Sequence, residues 1–589
     1  MSKTLASAGG RSRLERLSGW LASGWLGFTK EITGAAPGDP WLQFASIVVG
    51  FIGGAYFLAD IFFVLRGVLS PGASIVILLL AATVGGALGA TFCLRALGRN
   101  LALFVLLFII GACAAHWIVD VTYDGQDYQY SSIWALVNGW NPYHNKGLGH
   151  FGDFVAPGSD EQPWAFHFPK AHWIFASLQV SAGLSYEAAK TEPLLLLAAS
   201  FAGAMGAARR FGVEGWQAYA IALPAALNPL LITELFSRMN DGVMAGIYTL
   251  FVGFGLIAAI RGERRAWIVL LVLMATALNT KQSALVILPV LCAWLCLLSL
   301  IHRGWRVAAA RGALLAASGL ASLFIVGADP YLRNQVVYGN IVYPMRGSTM
   351  VIDDEFRPPE LFPHSEPVRL AMSILSETNY NDYRLKLPLT VTPEEFDLAG
   401  DPEVHLAGLG PWFSAVFLLG LVALIFAALQ RPPLRSAASA LLITGGFVAF
   451  SAFVMPESWA VRYVPQLWLV PVLFAAAAAV TPRLALLAWL CGIAMIGNLG
   501  ILAVSTVKRQ GGASIAIATQ IARFRDGQSV GTDPGASPAR MALLEQHGLR
   551  VTLFEDKHPH CTNVERMPLA YDYLDDGTRP AIICTLTSH

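Results

Sequence analysis

Residues 42–65 read LQFASIVVGFIGGAYFLADIFFVL, an apolar run that is long enough to cross a bilayer as one helix. The whole chain of 589 residues has the same character, since 55% of it is hydrophobic, 13% is charged and the mean hydropathy is +0.55. Soluble domains have about 25% charged residues. This composition excludes an ordinary soluble enzyme, and its high hydrophobicity also excludes a disordered chain.

Twelve further apolar runs follow the first one, and together they predict about 13 transmembrane helices. We therefore expect an all-α polytopic membrane domain over residues 42–506. The further runs cover residues 73–94, 101–119, 191–208, 216–236, 242–260, 266–279, 283–301, 312–328, 411–429, 436–454, 463–480 and 484–506.

The distribution of arginine predicts how these helices are oriented. Cytoplasmic loops carry an excess of Lys and Arg. With thirteen spans and a cytoplasmic N-terminus, every basic cluster between spans falls on the cytoplasmic side, as at Arg209/Arg210 and Arg264/Arg265. Three polar segments then lie outside, at about 120–190, at about 329–410 and after residue 507. The short apolar stretch 173–186 is read as interfacial or re-entrant, because a crossing there would reverse every later cluster.

The two ends of the chain differ from the middle. Residues 1–41 predict a cytoplasmic amphipathic leader, either an interfacial helix or in part a disordered tail. Residues 507–589 predict a small α/β domain on the outer face, with strand-like patterns at 528–532, 551–554 and 581–586 and a helix-like pattern at 538–547. We expect its two cysteines, Cys561 and Cys584, to form a disulfide in an oxidising compartment.

The first outer segment begins with three carboxylates, Asp120, Asp124 and Asp127, directly after a predicted span. Ionisable groups at a membrane boundary are candidate functional residues. The alternative is a solvated loop that merely ends the helix. These three aspartates are the candidate catalytic residues.

Aromatic and polar side chains follow in the same segment, at Trp140-Asn141-Pro142-Tyr143 and in the run from Trp164 to Lys170. Such side chains are suited to stacking on sugar rings, although an aromatic belt at the membrane interface would look similar. His167 is a candidate for binding substrate or phosphate. The histidine spacing in this segment matches no zinc signature.

Four more charged residues are predicted on the outer side. Asp241 begins an uncharged helix, where it serves either as a helix cap or as a site residue. Lys281, Arg333 and Arg462 are cations near the outer interface, which could hold a lipid-linked phosphate or extend to lipid headgroups.

Several segments resemble the C-type glycosyltransferase (GT-C) superfamily, which includes the protein O-mannosyltransferases and the lipid A aminoarabinose transferases. Asp124 lies four residues before Tyr128-Gln129, where relatives show an aspartate followed by Tyr-His. The run Tyr331-Leu332-Arg333-Asn334 with Tyr338 to Pro344 is similar to a family pattern of Arg-Asn followed by Gly-Asn-Pro-x-Tyr-Pro. Arg462-Tyr463-Val464-Pro465 resembles a late Arg-Tyr pair followed by Pro.

This resemblance implies an enzyme that transfers a sugar from a polyprenyl-phosphate-linked donor to a hydroxyl of a glycan, lipid or protein. Asp124 would remove the hydroxyl proton. Lys281, Arg333, Arg462, Asp241, His167, Tyr128 and Gln129 would bind substrate or lipid phosphate. No cofactor is required, but Mg²⁺ or Mn²⁺ could assist through Asp124, Asp127 or Asp241.

The implied location is a bacterial inner membrane, with the N-terminus cytoplasmic, the C-terminus periplasmic and membrane lipids as partners. The net charge of +1 gives no basic field for nucleic acid. Two alternatives stay open: a transporter or flippase for a lipid-linked saccharide, and a polysaccharide polymerase or ligase.

Overall fold

The computed structural model describes residues 38–144, 163–345, 357–481, 483–532, 538–553, 561–566 and 582–586. Most of the predicted leader therefore lies outside the described residues.

The described chain is predominantly helical. Seven of its helices are long and apolar enough to cross a membrane: Pro40–Val64, Pro71–Ala90, Leu94–Trp117, Asp241–Arg261, Ala284–Arg303, Trp305–Val326 and Ala485–Ile521. The other predicted spans coincide with shorter helices: Glu192–Arg210, Gly215–Ala226 with Pro229–Thr233, Arg264–Thr280, Phe413–Leu429, Ala437–Phe453 and Pro465–Ala479. The predicted number of thirteen crossings stays a prediction.

Two predicted helix boundaries differ from the structure. The run 216–236 is broken into two helices, because Asn228 caps the second one by accepting a hydrogen bond from the amide of Leu230 at 3.1 Å, with Pro229 in its first turn. The last apolar helix does not end at residue 506. It continues through the π-turn Val507–Gly511 to Ile521, so the expected start of the C-terminal domain lies inside a helix.

Helix Pro40–Val64 lies near the centre of the bundle. Its N-terminus is capped by the Asp39 carboxylate, which accepts a hydrogen bond from the amide of Trp41 at 2.9 Å. It packs closely on helix Pro71–Ala90 through glycines. A Cβ atom on Gly85 would lie 2.5 Å from the carbonyl oxygen of Ile47, so only glycine permits this approach.

Helix Asp241–Leu256 is buried along its whole length. By contrast, helices Leu94–Trp117 and Trp305–Val326 are mostly exposed, with apolar side chains that suit contact with lipid. The first residue of the buried helix is a carboxylate, Asp241. This central helix therefore places an acidic group in the protein interior, at its N-terminal end.

Short helices build the two predicted outer segments between the long ones. The apolar stretch 173–186 contains helix Ala171–Ser181, which has 11 residues and is too short to cross a bilayer. The other short elements are the π-turns Gly125–Gln129 and Ala328–Leu332 and the helices Tyr130–Val137, Pro163–His167, Arg333–Tyr338, Pro359–Leu361, Glu366–Ile374 and Pro393–Ala399. A further short helix, Val461–Tyr463, precedes helix Pro465–Ala479.

The C-terminal segment contains a four-stranded sheet. Its strands are β1 (Ser529–Thr532), β2 (Arg550–Leu553), β3 (Cys561–Arg566) and β4 (Ile582–Leu586), in the order β2-β1-β4-β3. Helix Pro538–Gln546 connects the parallel strands β1 and β2.

The sequence patterns anticipate strands β1, β2 and β4 and helix Pro538–Gln546, but neither β3 nor the helix that extends to Ile521. Whether the segment is a separate domain stays a prediction. Cys584 is disulfide-bonded. The side chain of Cys561 lies outside the described residues, so its pairing with Cys584 also stays a prediction.

Candidate functional site

The first outer segment is held in shape by Asp120. Its carboxylate accepts hydrogen bonds from the amide of Thr122 at 3.0 Å and from the amide of Arg238 at 2.6 Å. A Cβ atom on Gly125 would lie 2.5 Å from the same carboxylate, so the turn needs glycine there. The carboxylate of Asp120 therefore stabilises this turn. Asp120 does not belong to the group of candidate residues around Asp124.

Asp124 lies in the same turn but points to a different set of partners. Its carboxylate lies 3.5 Å from Nη2 of Arg462, and its backbone amide donates a hydrogen bond to Oε1 of Glu403 at 3.2 Å. Nη1 of Arg462 donates to Oε2 of Glu403 at 3.1 Å. The side chain of Asp124 keeps 22% of its surface exposed, so it is the most accessible of these three groups.

Lys281 brings a second cation to the same place. Its ammonium group forms an ion pair with Asp241 at the start of the buried helix. The ring of Tyr463 lies close to both cations, with its centroid 5.1 Å from Nζ of Lys281 and 5.2 Å from Cζ of Arg462. Four of the predicted residues therefore converge at one site: Asp124, Asp241, Lys281 and Arg462.

The burial of this cluster changes its acid–base properties. Burial raises the pKa of Asp124 above its ordinary value, and the positive charges of Arg462 and Lys281 oppose that effect. Burial, together with the charge of Asp124, raises the pKa of Glu403 to about 8. The site thus contains carboxylates that bind protons more readily than exposed ones do.

Aromatic rings flank the acidic turn. Tyr128 contacts the rings of Phe168 and Trp173, with centroids 5.9 and 6.2 Å apart. Gln129 is buried and accepts a hydrogen bond from the indole of Trp173 at 3.1 Å. Gln129 therefore contacts this aromatic wall, and its role in binding substrate stays a prediction. The side chain of Asp127 lies outside the described residues.

His167 and Arg333 belong to a second polar cluster. His167 is paired with Asn334 through a 2.8 Å hydrogen bond, and burial lowers the pKa of its imidazole to about 4. Arg333 forms an ion pair with Asp329 at 2.6 Å, and Lys170 pairs with the same carboxylate at 2.8 Å. His167 and Arg333 therefore lie in a cluster separate from that of Asp124, and their roles in binding substrate or phosphate stay predictions.

One residue connects the cluster around Asp124 with the cluster around His167. Gln282, which follows Lys281, donates hydrogen bonds from its side-chain amide to the carbonyl oxygens of His167 at 3.1 Å and Tyr343 at 3.4 Å. The second cluster therefore supports the turn that carries Lys281.

The donor groups around Asp124 do not form an evident metal site. Among the residues that the structure describes, no three His, Cys, Asp or Glu side chains come together to hold a metal ion. Asp124 and Asp241 each face a protein cation, Arg462 and Lys281 respectively. Assistance by a divalent metal ion through Asp124, Asp127 or Asp241 stays a prediction.

Two residues of the site were not predicted from the sequence. Glu403 lies ten residues before helix Phe413–Leu429, and a carboxylate near an outer membrane boundary is the same signal that points to Asp124. In the sequence, Tyr463 stands out only as the neighbour of Arg462. Nothing in the sequence pattern indicates that its ring contacts two cations.

Comparison with known proteins gives limited information. No family model and no curated protein matches the chain. Among solved structures, the chain is similar to the crystal structure of ArnT from Cupriavidus metallidurans bound to undecaprenyl phosphate, with 14% identity over 77% of this chain and 85% of that one and a TM-score of 0.33. At this identity and TM-score, the similarity assigns no function to the chain.

Proposed function

We propose that this protein is an integral membrane glycosyltransferase that transfers a sugar from a polyprenyl-phosphate-linked donor to an acceptor hydroxyl. The observation that carries this proposal is the convergence of one accessible carboxylate, Asp124, with two cations, Arg462 and Lys281. The three residues come from segments that are far apart in the sequence, and they meet beside the end of a central apolar helix.

The two cations suit the phosphate of the donor. Nε of Arg462 is buried and has no hydrogen-bond partner among the described residues. Lys281 is 20% exposed and has three N–H donors, of which the ion pair with Asp241 needs one. Charge-assisted hydrogen bonds from both side chains would stabilise a lipid phosphate, and would stabilise it more as it leaves with extra negative charge.

Asp124 suits the role of general base. The acceptor oxygen attacks the anomeric carbon of the sugar, the bond from that carbon to the phosphate oxygen breaks, and its electron pair leaves with the lipid phosphate. The hydroxyl proton passes to the carboxylate of Asp124. A raised pKa makes this carboxylate a stronger base near neutral pH. Because the leaving group is a phosphate, the reaction needs no separate general acid.

The aromatic wall around Tyr128 would contact the sugar. The rings of Trp164 and Phe168 lie 6.4 and 5.9 Å from that of Tyr128, and they offer apolar faces next to the base. Aromatic faces pack against the C–H surfaces of sugar rings while polar edges bind hydroxyls. The polyprenyl chain would remain in the surrounding lipid.

A transfer assay tests the proposal. The purified protein in liposomes is incubated with polyprenyl-phosphate monosaccharides and an extract of envelope lipids and glycans. Release of free polyprenyl phosphate is then followed by mass spectrometry. We expect release with the native chain and at least about a hundredfold less with Asp124→Asn, as for loss of a general base. The exposed Asp382→Asn variant is the matched control.

The same assay separates the alternatives. Consumption of an oligosaccharide-diphosphate lipid in place of a monosaccharide-phosphate lipid would identify a polymerase or ligase. Movement of an intact lipid-linked saccharide across the bilayer without bond cleavage would identify a transporter. Either result, or native activity in Asp124→Asn, would contradict the proposal.

Lys281 provides an independent test of the phosphate site. In Lys281→Ala we expect the KM for the donor to rise about 10- to 100-fold, because a hydrogen bond to a charged group contributes about 1.5–3 kcal/mol. Lys508→Ala is the control, since Lys508 is an exposed lysine whose side chain is 63% accessible. An unchanged KM in folded Lys281→Ala would remove this lysine from the site.

A further inference from the structure

Glu403 makes an unusual pair of contacts. Its Oε1 accepts the backbone amide hydrogen of Asp124 at 3.2 Å, and its Oε2 accepts a hydrogen from Nη1 of Arg462 at 3.1 Å. Only 9% of its side chain is exposed. One carboxylate therefore bridges the backbone of the proposed base and the side chain of the proposed phosphate-binding cation.

Glu403 is itself held firmly. Its backbone amide donates a hydrogen bond to the Asp401 carboxylate at 2.8 Å. Asp401 in turn pairs with Arg509 and accepts a hydrogen bond from the hydroxyl of Tyr380. Arg509 lies in the π-turn that continues the last long helix. The bridge is thereby fixed to a membrane helix as well as to the outer segment around it.

We propose that Glu403 is a positioning residue that holds Asp124 and Arg462 in their reactive arrangement and prevents them from forming an exclusive ion pair. This inference rests on the proposed function. It adds a role for a residue that does not contact the reacting atoms.

The physical reason is competition for the guanidinium group. With Glu403 present, Arg462 directs Nη1 to Glu403, and only Nη2 faces Asp124, at 3.5 Å. Without that carboxylate, Arg462 would be free to pair closely with Asp124. A closer cation stabilises the ionised form of Asp124 and makes it a weaker base.

Glu403 acts on Asp124 through this competition and not through its own charge, because its pKa of about 8 leaves it largely protonated where an aspartate titrates. The charged or titratable groups that face Asp124 are Arg462, Lys281, Asp241, Glu403 and Tyr128. Of these, Arg462 and Lys281 favour ionisation of Asp124, and Asp241 disfavours it. Replacing Glu403 therefore lowers the pKa of Asp124 by freeing Arg462 to approach it.

The experiment measures transfer rates across pH for the native chain, Glu403→Gln, Glu403→Asp and the control Glu394→Gln, an exposed glutamate of the same outer segment. We expect Glu403→Gln to lower kcat by at least about tenfold, since small misplacements of reacting groups are costly. We also expect the acidic limb of its pH–rate profile, where activity falls as the pH decreases, to move to lower pH. Glu403→Asp keeps a carboxyl group that can accept hydrogen bonds from Arg462, so its limb stays near the native position while kcat falls. Glu394→Gln should resemble the native chain.

The outcomes are distinguishable. If the native chain releases no polyprenyl phosphate from any monosaccharide donor, the proposed function fails. If the native chain is active and folded Glu403→Gln keeps the native limb, the positioning role is overturned. Should Glu403→Gln fail to fold, Glu403→Asp decides alone: a native kcat in that variant overturns the inference, and a reduced kcat with a native limb supports it.

Discussion

At the scale of single residues, Asp120 and Asp124 show how two carboxylates of one turn take different roles. The side chain of Asp120 is fully buried and ties the turn to the backbone and guanidinium of Arg238, whereas that of Asp124 is partly exposed. A buried carboxylate with several donors is a structural group, because its removal leaves a buried positive charge uncompensated. An accessible carboxylate beside two cations is available for chemistry.

This difference gives a first prediction. We expect Asp120→Asn to lower stability by about 3–5 kcal/mol, the cost of removing one partner of a buried ion pair. The measurement is thermal unfolding in detergent, with the exposed Asp382→Asn as control. The fraction that remains folded should keep a native KM for the donor. A stable Asp120→Asn protein with impaired transfer would instead place this residue in the reaction.

The acid–base state of Asp124 gives a second prediction. The general base must be ionised, so kcat/KM should rise as pH increases through the pKa of Asp124. Burial raises that pKa, so the rise should occur at higher pH than for an exposed aspartate, whose pKa is about 3.9. A pH–rate profile between about pH 4 and pH 8 shows it. The pKa of His167 is lowered by burial to about 4, so this residue could also titrate in the acidic range. A shift of the acidic limb of the profile in His167→Gln would assign the limb to the histidine instead of Asp124.

At the scale of elements, the close contact between helices Pro40–Val64 and Pro71–Ala90 depends on Gly85. A Cβ atom there would lie 2.5 Å from the carbonyl oxygen of Ile47 and 3.0 Å from the amide nitrogen of Phe51. The neighbouring Gly86 has nothing closer than 3.9 Å. We expect Gly85→Ala to lower the unfolding temperature and Gly86→Ala to leave it unchanged or raise it slightly, since alanine favours a helix. Equal stability of the two variants would contradict this packing.

Helices were easier to predict than the site. An apolar run of about 20 residues has one stable form in a bilayer, which is a helix, so the predicted spans coincide with helices in the structure. The site depends on contacts between loops, and Arg462 lies 338 positions from Asp124. The scarcity of outer charges predicts Asp124, Asp241, Lys281 and Arg462 as site residues, together with Asp120, Asp127 and Arg333. It did not show that His167 and Arg333 pair elsewhere, nor that Glu403 completes the group.

At the scale of the whole molecule, the arrangement of charge predicts the orientation of the chain. Helix Asp241–Arg261 has the acidic site at one end, at Asp241, and an arginine at the other end, where Arg261 donates a hydrogen bond to the carbonyl oxygen of Arg210 at 2.6 Å. If the arginine-rich side is cytoplasmic, the site faces outward, where a lipid-linked donor would be used.

This orientation is tested with single cysteines at two exposed positions, Asp382→Cys in the second outer segment and Gln430→Cys after helix Phe413–Leu429. In intact cells, a membrane-impermeant maleimide should label Asp382→Cys and leave Gln430→Cys unlabelled, and permeabilised cells should label both. The parent protein gives the background from Cys113, which is exposed on a lipid-facing helix. Labelling of Gln430→Cys alone in intact cells would show that the chain has the opposite orientation, with Asp124 on the cytoplasmic side.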